Sequence, residues 1–85
     1  MITNEYKGVT YVSPETAADV TDEMLEMAED ISESWFGDEE RIDWEEFIDR
    51  LCSQGYLKDG TKLDFEEYDN AAINKIKKHI REYRR

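Results

Sequence analysis

Three stretches of this chain repeat their apolar residues at helical spacing, and together they take up about half of it. Over residues 22–35, Met24, Met27, Ala28, Ile31 and Trp35 fall on one side of a wheel turning about 100° per residue, and Asp22, Glu23, Glu26, Glu29, Asp30 and Glu33 fall on the other. Over residues 44–53, Trp44, Phe47, Ile48, Leu51 and Cys52 point one way and Glu45, Glu46 and Asp49 the opposite way. Over residues 65–83, Phe65, Ala72, Ile73, Ile76, Ile80 and Tyr83 form a single stripe. A stripe of this kind must be buried against another apolar face. With 85 residues there is room for one domain and one small core, so the three stripes must meet each other.

Short segments complete the expected architecture. Residues 5–12, EYKGVTYV, are β-branched and aromatic around Gly8, which predicts a strand or hairpin with the glycine at a turn or bulge. Ser13-Pro14 reads as a cap and a first-turn proline, opening a short turn before the start signal at Thr21. Phe36-Gly37 closes the first helix, and Gly55 is placed to close the second. Between the last two helices, YLKDGTKL carries an Asp-Gly turn, which predicts a second small hairpin at 56–63 able to pair with the first. The sum is an α+β fold, mostly helical, with three helices packed on a small antiparallel N-terminal strand or hairpin element.

One phrase occurs twice: RIDWEEF at 41–47 and KLDFEEY at 62–68. It resembles the second half of an EF-hand loop, but the first half fails. With Glu67 at the last ligand position, Tyr56, Lys58 and Gly60 fall where oxygen ligands belong, and an ammonium there repels a cation. Helix capping accounts for the phrase better. Asp43 caps the second helix, Glu46 returns a bond to the cap residue, and Ile42 and Phe47 form a hydrophobic staple. Leu63, Asp64, Glu67 and Tyr68 repeat those roles for the third helix, whose first turns hold Glu66, Glu67 and Asp69 and whose end is basic, from Lys75 to Arg85.

Catalytic constellations are missing from the sequence. His79 is the one histidine, and it lies among basic residues; Cys52 is the one cysteine and points inward. No glycine-rich phosphate loop is written, and the many carboxylates lie on solvated faces where their pKa values stay together. The expectation is a non-enzymatic protein with no catalytic residue, cofactor or metal. Polar residues after Met1 and the lack of any long apolar run predict a soluble, cytoplasmic chain with no membrane partner.

Charge supplies the functional expectation. The formal net charge is −11, and it is uneven: residues 1–72 hold five basic against twenty-one acidic groups, residues 73–85 six against one. Such a body repels nucleic acid and attracts basic proteins. The six carboxylates of the first helix fall within twelve residues. That is about 3 Å of axis per charge, close to the ~3.4 Å between phosphates along a DNA strand. Asp38, Glu39, Glu40, Glu45, Glu46 and Asp49 extend the acidic series. In size, charge and expected fold type over residues 22–69, the chain resembles the small acidic phage-encoded inhibitors of bacterial defence, the anti-CRISPR and anti-restriction DNA mimics. That resemblance implies an inhibitor in the host cytoplasm whose partner is a basic protein, a nucleic-acid-binding defence complex, rather than nucleic acid itself. Two other readings stand beside it. One is an antitoxin, immunity protein or adaptor that grips a basic protein without mimicry, anchored by exposed aromatics such as Trp35, Phe36 or Tyr56. The other is a DNA-binding regulator that uses the basic helix.

Overall fold

The computed structural model describes residues 1–35 and 42–84. Strands β1 (Ile2–Tyr6) and β2 (Val9–Ser13) form an antiparallel hairpin, followed by a 3-10 turn at Ala17–Asp19. Helices α1 (Asp22–Glu33) and α2 (Trp44–Ser53) come next, then the two-residue strand β3 (Lys62–Leu63), and helix α3 (Ala71–Tyr83). β2 is the centre of a sheet ordered β1-β2-β3. The expected α+β fold, with three helices and a small sheet, is the fold observed.

The hairpin turns on Lys7 and Gly8, whose φ angles are +50° and +79°. Two successive left-handed residues make the type I′ turn that matches strand twist, and glycine takes the second position without strain. The strand starts at Ile2, three residues earlier than the residue pattern suggests. The turn after β2 also differs from expectation. Ser13 ends β2 and Pro14 is buried, while Asp19 organises the turn by accepting from the N–H groups of Glu15 and Thr16, both at 3.1 Å. Those two bonds lower the Asp19 carboxyl to about 2.

α1 and α2 begin where their caps place them. Thr21 Oγ1 accepts from Met24 N–H at 3.3 Å, and Asp43 accepts from Glu45 and Glu46 at 3.1 and 3.3 Å. Ile42 and Phe47 are both in the core, as a staple requires. The Glu46 carboxylate turns to Arg50, 3.1 Å away, so the carboxylate is engaged one turn along its own helix. Gly55 follows the α2 cap with φ +116°, the left-handed end expected of it.

The second copy of the repeated phrase does not start a helix. α3 begins at Ala71, and its cap is Asn70, which accepts from Ile73 N–H at 2.8 Å. Lys62 and Leu63 are strand, Asp64 N–H donates to Val12 C=O at 3.0 Å, and Phe65 is buried. The sheet ladder and the burial of Phe65 thus keep residues 62–65 out of a helix, overriding a local helix signal worth about 0.5–2 kcal/mol. Glu66, Glu67 and Asp69 precede the helix, and all three are exposed. The second hairpin expected at 56–63 is also absent. Leu57 and Thr61 close a turn through a 2.7 Å bond, and β3 runs parallel to β2, pairing Tyr11 with Lys62 and Val12 with Leu63.

The core joins all three helical stripes: Met24, Ala28 and Ile31 from α1, Phe47, Ile48 and Leu51 from α2, and Ala72, Ile73, Ile76 and Ile80 from α3. Leu57, Leu63 and Phe65 come from the segments between helices, and Val12 packs against the cluster from β2.

Candidate functional site

The helical pitch puts Asp22, Glu23, Glu26, Glu29, Asp30 and Glu33 on the side of α1 opposite its buried stripe. The structure divides them by their neighbours. Glu23 accepts the backbone N–H of Lys58, and Glu26 lies 3.4 Å from the Lys58 ammonium. On the opposite flank, facing α3, Glu29 is 3.3 Å from His79 Nε2, and Glu33 accepts the Tyr83 hydroxyl. Asp22 and Asp30 are exposed.

The donors matter as much as the acids. A backbone amide and a tyrosine hydroxyl carry no charge, so Glu23 and Glu33 are oriented by their bonds without being neutralised. Holding the proton beside Glu33 pushes Tyr83 up to about 12, and Asp49 does the same to Tyr68, also to about 12.

Lys75, Lys77, Arg81, Arg84 and Arg50 also meet groups other than the α1 acids. The Lys75 ammonium reaches the C=O groups of Ala17 and Val20 at 3.0 and 3.4 Å. Arg84 donates to Ser32 C=O at 2.6 Å, placing a positive charge at the C-terminus of α1, which has no basic residue in its own last turn. Lys77 and Arg81 lie 5.9 and 5.6 Å from the Trp44 ring centre, and Arg50 lies 4.6 Å from that of Trp35.

Between α1 and residues 54–58 lies a groove of about 270 Å³. Met27, Ile31 and Leu57 supply its apolar lining; Glu23, Glu26 and Asp30 bring carboxylates to it, and Tyr56, 59% exposed, stands at its edge. The helical pattern of α1 makes its acids legible, but nothing local in the sequence shows that the loop after α2 comes back to face them.

The remaining acids fall elsewhere. Glu46 pairs with Arg50, which in turn covers Trp35. Asp49 accepts from Tyr68, and Glu45 shares a cleft with Tyr68 and Lys77. The acids of α2 therefore have surroundings of their own rather than sharing the groove. Asp38, Glu39, Glu40 and Phe36 lie outside the described residues. Trp35 is partly buried and stacks on Phe47 at 6.4 Å, so of the aromatics considered as anchors Tyr56 is the exposed one among the described residues.

Burial pushes the Cys52 thiol up, which disfavours its thiolate at neutral pH. Among the described residues no group of three or more His, Cys, Asp and Glu side chains is arranged to hold a metal, and no helix is long and apolar enough to cross a membrane. Comparison with protein-family models, with curated proteins and with solved structures returns no match.

Proposed function

We propose that this protein is a non-enzymatic inhibitor whose acidic α1 face occupies the basic nucleic-acid channel of a bacterial defence complex in place of DNA or RNA. The observation that carries the reading is the set of carboxylates on one rigid helix, two of them, Glu23 and Glu33, oriented by uncharged donors and so still negative. A cationic channel built for phosphates responds to charges of that sign at that spacing. The small, acidic character of the chain agrees with such a role, which it would carry out in the host cytoplasm.

The groove favours a second reading, a protein that binds a basic partner without mimicry. Its apolar lining and the exposed Tyr56 suit a protein side chain better than they suit a channel lined for phosphate.

The two readings separate in one assay. Purified restriction and CRISPR effector complexes are tested for duplex DNA binding with this protein added. Mimicry gives loss of DNA binding that excess DNA reverses and that weakens steeply with salt. A stoichiometric complex indifferent to DNA selects the second reading. If no complex tested responds, the defence assignment fails. The double reversal Glu26→Lys with Asp30→Lys is expected to weaken binding roughly tenfold or more while the helical circular dichroism stays unchanged.

A further inference from the structure

β1 is a strand without a buried side: all five of its residues are exposed, and none belongs to the core. It is also an edge: among the described residues the sheet order gives it a neighbour on one side only. An exposed strand edge presents unpaired N–H and C=O groups to any strand that can align with them.

The register shows which groups those are. Val12 sends its carbonyl to Asp64 N–H, away from β1, so the opposed pair Thr3 and Val12 does not exchange hydrogen bonds. Pairs alternate along an antiparallel ladder. Ile2, Asn4 and Tyr6 therefore bond to β2, and Thr3 and Glu5 turn their backbone groups to the open edge.

The order of side chains fits a second copy of the same strand. In an antiparallel pair centred on Asn4, Thr3 faces Glu5 of the other copy, so the outward backbone groups of each strand meet in two hydrogen-bonded pairs. Ile2 faces Tyr6, an aliphatic–aromatic pair between side chains that are 40% and 63% exposed in the single chain. Asn4 faces Asn4. No like charges are opposed in this register. Centring the pair on Glu5 would set two carboxylates against each other. The hairpin is also where two such acidic molecules can approach most easily, since Glu5 and Lys7 are its only charged side chains.

We propose that β1 is a self-pairing edge through which two copies of this protein form an antiparallel, two-fold symmetric dimer with one continuous six-stranded sheet. The contact is short, so the dimer is in equilibrium with the monomer rather than permanent.

Sedimentation equilibrium in about 0.15 M salt, up to millimolar protein, tests this. The expected result is a mass rising from 10.1 kDa towards twice that value with concentration. Thr3→Lys places an ammonium opposite Glu5 of the other copy and should tighten the dimer roughly two- to thirtyfold; Thr3→Glu should loosen it by a similar factor. Glu5→Pro removes an N–H from the open edge while leaving the β2 ladder its bonds, and should give monomer. Asn74→Lys, on the exposed side of α3, adds the same charge as Thr3→Lys elsewhere and should leave the equilibrium in place. A chain that stays monomeric at millimolar concentration overturns the proposal. So does a dimer that Asn74→Lys tightens as much as Thr3→Lys, or one unaffected by both substitutions at Thr3.

Discussion

Asp43 sits where a carboxylate is most useful to a helix: one oxygen accepts from Glu45 and Glu46 N–H, and the negative charge meets the positive end of the α2 dipole. Asp64 occupies the matching place in a nearly identical phrase, yet it is exposed, no helix starts at it, and its backbone N–H continues the sheet ladder. Asp43→Ala is expected to cost about 0.5–2 kcal/mol and Asp64→Ala within about 0.5 kcal/mol of nothing, measured as shifts in urea midpoint at constant slope. Equal costs would mean that the two aspartates have equivalent roles. The contrast also marks how far local reading reaches. Cap, staple and closing glycine agree around α2, so its limits can be read from the chain. Around Asp64 the same signal competes with a partner strand about fifty residues away, and nothing in KLDFEEY itself announces Val12. Asn70, which does cap α3, is an ordinary N-cap residue whose claim becomes visible only once the sheet has taken residues 62–65.

Among the elements, α3 is fixed to its neighbours from both sides. Ile73, Ile76 and Ile80 fill the core, and the polar seam against α1 runs through His79 with Glu29 and Tyr83 with Glu33. Tyr83 titrates near 12 when folded, above its ordinary 10, so its hydroxyl–carboxylate bond contributes fully below pH 10 and is lost as pH rises through 12. Tyr68 follows the same rule on the Asp49 side. Thermal melts at pH 9 to 12 should therefore show the difference between the parent and a Tyr68→Phe, Tyr83→Phe variant shrinking over the upper part of that range. A constant difference would show that the hydroxyls do not act through their protons. The positions of the helical stripes foretell the burial of α3, because spacing alone sets which side chains share a face. The seam has no such signature: Arg84 meets the end of α1 at Ser32, fifty-two residues earlier, and only the packing of the helices brings them together.

For the whole molecule, the excess of carboxylates sets the electrostatics. Ion pairs such as Glu46–Arg50 and Glu26–Lys58 are solvent-exposed and contribute little, whereas repulsion among twenty-two acidic groups acts on the entire fold. Raising sodium chloride from about 0.01 to 0.3 M should therefore increase the melting temperature, since screening removes more repulsion than attraction. A melting temperature that falls with salt would show that internal ion pairs dominate instead. The uncharged donors that hold two of the α1 acids have a further consequence for whatever meets that helix. A carboxylate already locked in an internal salt bridge must give up its partner before it can serve another cation, and that exchange cancels much of the gain. Glu23 and Glu33 can keep their amide and phenol bonds while accepting a newcomer on their remaining lone pairs, so their geometry is set in advance and no internal attraction has to be broken.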